Sequence, residues 1–495
     1  MSLSRRGMMA GSAGVGFAVT GSMPTLAQAK PGHAGARVHG LHPGRPFPPL
    51  VDDPAGILAL PPGFRYVVMN RAGETTLETG EPCPNNHDGT AAFGRGRASY
   101  LILNHECDAG DPLGVPHRPG TVYDPGATGG GGCTVIRTDG HGTNLGQFVA
   151  LSGTISNCAG GPTPWGTWWT CEEDTARAGD DWEDDDHGAS GVYEKDHGYV
   201  FEVHGDGEGH PVPLKALGRY DHEACAISKD RRHVFLSEDA DEPNGLFFRW
   251  TGPRHYKVGP SSWKELAKQH FGTLAAMAIL LDDGSVLPDV AYLTSSQLGR
   301  PFKVTWVPVP DRDAADTSVR EQFADGEVTR GRKFEGVWGT SKGVYVVNSY
   351  AFEKGVDLPA DAVPHSGMVW FYDDEEETIQ LVNYFPYQAY AEEEVPEPAF
   401  ADLTFDGPDN VTVTPWGSLV LAEDGSGASH VLSSTPGGPT YAIARNMINL
   451  GDEAEPEFSE FTGPTFDSAG RVLYVNIQEP GMTLAITGPW EKYLG

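Results

Sequence analysis

Six segments of the chain share one pattern, and this repeat constrains the fold more than any other sequence feature. Each segment has a polar or acidic residue, a small residue, an apolar strand, a turn that contains glycine, and a second apolar strand that ends in Asn or Glu. The first and last polar residues are 13 to 16 residues apart in every copy. The copies read NNHDGTAAFGRGRASYLILNHE, SNCAGGPTPWGTWWTCEED, DHEACAISKDRRHVFLSED, KFEGVWGTSKGVYVVNS, DGPDNVTVTPWGSLVLAED and SEFTGPTFDSAGRVLYVNIQEPG.

The spacing between the copies predicts the fold. Successive copies end 53 to 110 residues apart, which leaves room for a second hairpin after each one. Because a propeller blade consists of four antiparallel strands, we expect an all-β, six-bladed β-propeller with loop and short helical insertions. The best helical candidate is SSWKELAKQHFG, in which Ser262 and Glu265 have the spacing of a capping box. The 64 glycines and 39 prolines among 495 residues agree with many turns between short strands.

The polar residues of the repeat predict a metal site. The inner strands of all blades line the central channel, so residues in one phase of the repeat should converge on the axis. Many buried carboxylates cannot stay ionised together without counter-charge, and bound cations would supply it. The alternative is that these acids cap turns on a solvated rim. The converging residues are Asp88, Cys158, Glu223, Glu335, Asp409 and Glu460, followed closely by Asn104, Glu106, Glu172, Glu173, Glu238, Glu423 and Asp424.

Charge and cysteines narrow the choice of cation. The net charge of -33 disfavours nucleic acid and anionic membranes as partners and favours hard cations such as calcium. Solubility or salt tolerance is the alternative reason for such acidity. Cys158 stands in the carboxylate phase of the repeat, and a thiolate ligand indicates iron or zinc. A disulfide is the alternative for Cys158, as it is for each of the six cysteines.

The N-terminus resembles a twin-arginine export signal. Arg5 and Arg6 precede a mildly apolar run rich in Gly and Ala, and Ala27-Gln28-Ala29 resembles a cleavage site. We therefore expect a signal peptide at 1–29, a single propeller domain at 30–495, recognition by the twin-arginine export machinery, and a periplasmic or secreted protein. A cytoplasmic N-terminus that happens to contain Arg-Arg is the alternative.

Several motifs resemble the PhoX-type alkaline phosphatases: NNHDG, NHEC, NCAGGPTPWGTWWTCEE, GRYDHEACAI, RKFEGVWG and EFTGPTFDSAGRVLYVNIQEPG. The resemblance covers nearly the whole mature chain. It implies a six-bladed propeller whose axis carries iron (Fe³⁺) and calcium and which hydrolyses phosphate monoesters. It assigns Cys158 as the iron thiolate, and either His87 or Asp88 as the ligand of the first motif. Glu172 and Glu173 either bind a metal or support the residues that do. The full set of predicted metal-site residues is Asp88, Cys158, Glu172, Glu173, Glu223, Glu335, Asp409, Glu423 and Glu460.

The sequence departs from the family at the residue expected to grip the substrate phosphate. The family has arginine two residues before the acid of FEGVWG, whereas this chain has Lys333, with Arg332 and Arg330 beside it. Lysine is a point charge rather than a bidentate fork. The predicted catalytic residues are Lys333, Arg332 and His222, which either protonates the leaving alcohol or orients Glu223. Ser459 replaces a family cysteine and removes one possible disulfide.

The resulting prediction is a monomeric, metal-dependent phosphatase acting on small-molecule phosphoesters without a serine nucleophile. Two other functions remain open on the sequence. A calcium-dependent propeller lactonase or esterase would need no thiolate, so iron would distinguish it from the phosphatase. A non-catalytic, calcium-stabilised binding propeller would turn over no phosphate ester.

Overall fold

Strands dominate the protein. The structure, a computed structural model, describes residues 45–94, 99–349, 365–386, 404–425, 427–452 and 456–495. These residues fall within one compact unit, Arg37–Gly495, and the predicted signal peptide at 1–29 lies outside them. The described strands are β1 Leu58–Ala59, β2 Arg65–Arg71, β3 His87–Phe93, β4 Ser99–His105, β5 Gly131–Thr138, β6 Asn144–Thr154, β7 Asn157–Pro162, β8 Trp168–Glu172, β9 Asp181–Asp184, β10 Ala189–Val192, β11 Val200–Val203, β12 His222–Ile227, β13 His233–Glu238, β14 Gly245–Thr251, β15 Thr273–Leu280, β16 Pro301–Pro308, β17 Arg330–Gly331, β18 Phe334–Gly339, β19 Gly343–Asn348, β20 His365–Asp373, β21 Thr378–Pro386, β22 Pro408–Val413, β23 Leu419–Glu423, β24 His430–Ser434, β25 Thr440–Asn446, β26 Phe461–Phe466, β27 Val472–Ile477 and β28 Met482–Thr487.

The helical insertions are short. The predicted capping box is wrong: the Ser262 hydroxyl accepts hydrogen bonds from Tyr256 Oη (2.7 Å) and Gly259 N (2.8 Å) and makes no cap. The helix there is a single turn, because its start is held by these loop contacts. No helix in the described ranges is long and apolar enough to cross a bilayer. The described helices are α1 Trp263–Leu266 and α2 Trp490–Leu494, and the 3-10 turns are Lys215–Leu217, Val290–Tyr292, Ser295–Gln297 and Val319–Gln322.

The strands form antiparallel sheets in chain order, each starting from a strand that opens a copy of the repeat. Four sheets have the strand orders β3-β4-β5-β6, β7-β8-β11, β22-β23-β24-β25-β1 and β26-β27-β28-β2. The largest sheet has ten strands: nine follow the order β12-β13-β14-β15-β16-β21-β20-β19-β18, and β17 pairs with β14. Strands β9 and β10 form a separate hairpin. The N-terminal strand β2 pairs with β28 of the last sheet, so the two ends of the described chain are joined by hydrogen bonds.

Six inner strands lie side by side around a common centre. The strand β3 contacts β7, which contacts β12, and the sequence continues through β18, β22 and β26 back to β3. A narrow cavity at the centre is lined by residues of all six. The second strands, such as β19 and β27, are buried on both faces, because neighbouring sheets cover them, and this explains their continuous apolar runs. The fold is therefore all-β and propeller-like, with few helices.

Every inner hairpin carries the same irregularity near the start of its first strand. Two residues of the inner strand oppose one residue of its partner, which defines a β-bulge and redirects the side chains at that point. Neighbouring inner strands approach closely there: a Cβ added to Gly89 would lie 2.7 Å from the Cα of Ala159. The bulged pairs are 88–89, 158–159, 223–224, 335–336, 409–410 and 463–464.

Candidate metal centre

The first residue of each bulge forms one ring of side chains, which we call the bulge ring. In five strands this residue is an acid or a cysteine, and in the sixth it is glycine. The five side chains are at most 5% exposed, because they are enclosed where the inner strands meet. The bulge ring consists of Asp88, Cys158, Glu223, Glu335, Asp409 and Gly463.

The residue that follows each second strand forms another ring, the strand-end ring. Each of these residues lies beside the bulge ring: Ser349 Oγ donates to Glu335 Oε1 (3.0 Å), and Gln478 Nε2 donates to Asp88 Oδ2 (3.2 Å) and Glu106 Oε2 (2.6 Å). Polar side chains from two positions of five repeats, and from one position of the sixth, therefore meet at the centre. The strand-end ring consists of Glu106, Glu173, Asp239, Ser349, Asp424 and Gln478.

Three groups of side chains are compact enough to hold metal ions. Within each group the ligand atoms lie within 4.8 Å of one another, and adjacent groups share Glu223 or Asp409. Because of these shared residues, the three groups form one continuous row from the Cys158 thiol to the Glu460 carboxylate. The groups are Cys158 with Glu173 and Glu223, Glu223 with Glu335 and Asp409, and Asp409 with Asp424 and Glu460.

The position of Glu460 corrects one part of the repeat alignment. Glu460 lies before β26, three residues ahead of Gly463, which occupies the bulge position of the sixth hairpin. Glu460 still reaches the third group, so the prediction that it joins the others is consistent with its location. The alignment also places Asn104 with Glu172, whereas the register pairs His105 with His87 as Glu172 pairs with Asn157.

The electrostatics of the centre favour bound cations. Burial raises the pKa of Glu223 well above its ordinary value, and the nearby carboxylates of Asp409, Glu335 and Asp88 raise it further. Burial also raises the pKa of Asp88 well above its ordinary value, and the nearby carboxylates of Glu106 and Asp409 raise it further. Burial and the charges of Glu223 and other acids raise the pKa of the Cys158 thiol. A cation beside these groups would lower all of these pKa values, so the donor set fits metal ions.

Three predicted ligands, Asp88, Glu172 and Glu423, lie outside the three groups. Asp88 belongs to the bulge ring, where it accepts a hydrogen bond from Gln478 Nε2. Glu172 and Glu423 precede Glu173 and Asp424, and successive residues of a strand face opposite sides. Glu172 accepts hydrogen bonds from the backbone N–H groups of Ile155, Gly198 and Tyr199 and from a histidine. Glu423 likewise accepts hydrogen bonds from the backbone N–H groups of Asp406 and His430 and contacts the His430 ring. These contacts give Glu172 and Glu423 a supporting place beside the centre, and their assignment as metal ligands stays a prediction.

The ammonium of Lys333 lies at the edge of the centre. Its Nζ contacts Asp239 Oδ2 and lies 3.2 Å from Glu335 Oε1. Lys333 has φ 55°, a left-handed conformation that is uncommon outside glycine and often found at functional sites. The chain thus turns sharply just before the bulge, and this turn brings the Lys333 ammonium next to the predicted ligand Glu335.

The other two predicted catalytic residues are directed elsewhere. Arg332 Nη2 lies 3.5 Å from Asp241 Oδ2 on the loop after β13. His222 is fully buried, its Nε2 lies 3.2 Å from the carbonyl oxygen of Gly218, and burial lowers its pKa to about 3. A neutral, enclosed imidazole is poorly suited to protonate a leaving alcohol. Its backbone carbonyl instead accepts a hydrogen bond from Cys158 Sγ at 3.2 Å.

Sequence reasoning missed Asp239, Ser349 and Gln478, all of the strand-end ring. A signal was present in the second to fifth copies of the repeat, where the residue directly after the final Asn or Glu belongs to this ring. In the described ranges all six cysteines are buried and free of disulfides, so no pairing competes with Cys158 as a ligand.

Comparisons with known proteins complete the description. The alkaline phosphatase PhoX family matches residues 45–146 and 140–481. A gluconolactonase from Xanthomonas campestris is 14% identical over 92% of this chain and 100% of its own, with a TM-score of 0.37. The PQQ domain of a pyranose dehydrogenase from Coprinopsis cinerea is 11% identical over 87% of this chain and 97% of its own, with a TM-score of 0.41. No curated protein matches the chain.

The two structural neighbours are too distant for their activities to carry over to this chain. The family match is of another kind, because it spans nearly all of the sequence outside the predicted signal peptide. It also agrees with the buried row of side chains that could hold metal ions, since the family is metal-dependent. The chain therefore belongs to the PhoX alkaline phosphatase family and is a phosphoric ester hydrolase.

Proposed function

We propose that the protein hydrolyses phosphate monoesters at a cluster of iron and calcium ions on the axis of a six-bladed propeller. The observation that carries the proposal is the row of three donor groups linked through Glu223 and Asp409, with Lys333 at its edge. A phosphate dianion requires concentrated positive charge, and such a row of ions next to an ammonium would provide it.

The blade count is inferred from the inner strands rather than from the sheets. The described strands form sheets of two, three, four, four, five and ten strands, which do not divide into six equal units. The inner strands, in contrast, are six, are adjacent in a closed order, and carry six equivalent bulges. The ten-stranded sheet contains two of them, β12 and β18, and so corresponds to two blades joined at β16 and β21.

The donor types support different ions along the row. The group with Cys158 combines a sulfur with carboxylates, which favours iron over calcium. The groups around Asp409 contain only carboxylates, the ligands that calcium prefers. When bound, such ions supply Lewis-acid catalysis at the phosphoryl group.

The chain's own residues bind and orient the substrate. Lys333 would exchange its contacts with Asp239 and Glu335 for the phosphoryl oxygens and stabilise the charge that develops on them. Ser349, one of the two neutral members of the strand-end ring, lies beside Glu335, so at this position the ring adds no negative charge. Arg332 lies close enough in sequence to add charge, but its contact with Asp241 makes it the weaker candidate.

The export prediction remains part of this proposal. The Arg5-Arg6 motif supports transport by the twin-arginine machinery to the periplasm or the medium, and loading of metals before export fits a route for folded proteins. We also propose that the enzyme is monomeric and that neither nucleic acid nor membranes are partners, as its acidity indicates.

The test combines metal analysis with substrate comparison. Protein purified without chelator should contain both iron and calcium, and it should hydrolyse p-nitrophenyl phosphate faster than bis(p-nitrophenyl) phosphate, a lactone or an aryl acetate. Cys158→Ala should lose iron and visible absorbance. Cys83→Ala is the matched control, because Cys83 is also buried but its thiol contacts Asn70, Gln147 and His87 rather than any acid of the three groups.

Each rival function has its own outcome. Calcium without iron, together with turnover of the lactone or acetate, would favour a lactonase or esterase. A full metal complement with no turnover of any ester would favour a binding propeller. Retention of iron by Cys158→Ala would exclude the ligand assignment.

A further inference from the structure

Three glutamates occupy one equivalent position next to the metal centre. Each is the last residue of a second strand and pairs with the residue before the bulge: Glu172 with Asn157, Glu238 with His222 and Glu423 with Pro408. Their side chains are at most 2% exposed. Each is followed directly by an acid of the strand-end ring, namely Glu173, Asp239 and Asp424.

Each of these glutamates has a basic partner from outside its own hairpin. His197 Nδ1 lies 2.7 Å from Glu172 Oε1, and its Nε2 lies 3.1 Å from Asp124 Oδ2. His430 Nδ1 lies 2.8 Å from Glu423 Oε2. Arg320 Nη1, from the segment between β16 and β17, lies 3.3 Å from Glu238 Oε1.

The glutamates also bind backbone N–H groups, so their carboxylates are held at several points. Besides its histidine, Glu423 accepts hydrogen bonds from Asp406 N (3.1 Å) and His430 N (2.8 Å). Glu238 accepts one from Leu246 N (3.1 Å). With both oxygens engaged, the carboxylate cannot rotate, and the backbone at the following residue is held in one orientation.

Other hairpins show what happens at this position without a charge. Asn348 donates to the carbonyl oxygen of Arg332 and Asn476 to that of Asp88. They are followed by Ser349 and Ile477 rather than by acids. In these two hairpins a neutral amide is used where the next residue carries no negative charge. The first hairpin differs: there His105, whose Nδ1 lies 2.8 Å from the carbonyl oxygen of Asn85, precedes the acid Glu106.

We propose that His197 and His430 are positioning residues that act through Glu172 and Glu423 to hold Glu173 and Asp424 in their metal-binding orientations. The inference rests on the proposed metal cluster and goes further, because it assigns each histidine to one end of the row. His197 supports the group that contains Cys158. His430 supports the all-carboxylate group that contains Asp409 and Glu460.

The two histidines provide matched controls for each other. For each position a leucine variant removes the donor, and an asparagine variant keeps an N–H donor near the place of Nδ1. Metal-replete proteins are titrated with a chelator while iron is followed by visible absorbance and calcium by elemental analysis of the desalted protein. Thermal unfolding of each variant is recorded in parallel.

The expected result is selective. His197→Leu should weaken iron retention by roughly 10- to 100-fold, the usual effect of removing a residue that supports a ligand. It should also shift the visible absorbance band of the iron-loaded protein and change the retained calcium little. His430→Leu should weaken calcium retention by a similar factor and leave the band in place. His197→Asn and His430→Asn should recover most of the loss.

Three outcomes would overturn the inference. Equal losses of both metals in both leucine variants, following the loss of thermal stability, would indicate a general structural role. Unchanged retention in all four variants would show that the histidines do not position the ligands while leaving the phosphatase proposal intact. Wild-type protein that binds neither metal would overturn both proposals.

Discussion

Replacement of His197 by asparagine should remove a stabilising contribution that depends on pH. Burial alone would lower the pKa of His197, but the charges of Glu172 and Asp124 outweigh it and raise the pKa from 6.5 to about 9. One pKa unit corresponds to about 1.4 kcal/mol, so the charged imidazole contributes about 3 kcal/mol to the free energy of unfolding. The folded-state pKa lies above the unfolded one, so this contribution is complete below about pH 6.5 and is lost as the pH rises through about 9.

The assay is urea unfolding of metal-replete wild-type and His197→Asn protein between about pH 6 and about pH 10. The difference in unfolding free energy should shrink with rising pH by about 3 kcal/mol. His365→Asn is the control, because burial lowers the pKa of His365 to about 3 and its ring is neutral throughout this range. A wild-type to His197→Asn difference that stays constant, or grows, would refute the assignment of a buried imidazolium.

Three further predictions concern the centre itself. Glu223→Gln should reduce the content of both metals, whereas Glu460→Gln should reduce calcium alone, because Glu223 belongs to two groups and Glu460 to one. Elemental analysis distinguishes these results. Equal effects of the two substitutions would contradict the arrangement of the three groups in a row. Lys333→Met should lower kcat/KM for p-nitrophenyl phosphate by roughly 100-fold with the metals retained, and Lys333→Arg should keep most activity; wild-type rates in Lys333→Met would exclude a role in phosphate binding. Gly336→Ala should lower the free energy of unfolding, measured by urea titration, by about 1 to 3 kcal/mol. The reason is that the new Cβ would lie 2.8 Å from the carbonyl oxygen of Asp409. Unchanged stability would show that the bulge tolerates a side chain.

Much of the centre could be predicted from the repeat. Asp88, Cys158, Glu223, Glu335 and Asp409 share one phase of the sequence, and they share one bulge in the structure. Their convergence follows because equivalent positions of radially repeated hairpins lie at equal distances from the axis.

Other details had no signal in a single hairpin. Glu172 and Glu173 are adjacent acids, and only the direction in which the strand ends shows that the second one faces the centre. The sixth hairpin places Gly463 at the bulge, so Glu460 reaches the row from outside the strand. The single turn at Ser262 reflects loop contacts that the local capping pattern could not reveal.

The sequence by itself determined the kind of fold, the number of repeats and the chemistry gathered at the centre, because apolar periodicity and turn residues act locally and repeat along the chain. Tertiary structure decided which carboxylate of each pair faces the axis and which is bound by a distant His197, Arg320 or His430. Those partners come from other strands and insertions, and their contacts depend on how the sheets pack, a property that no local pattern of residues encodes.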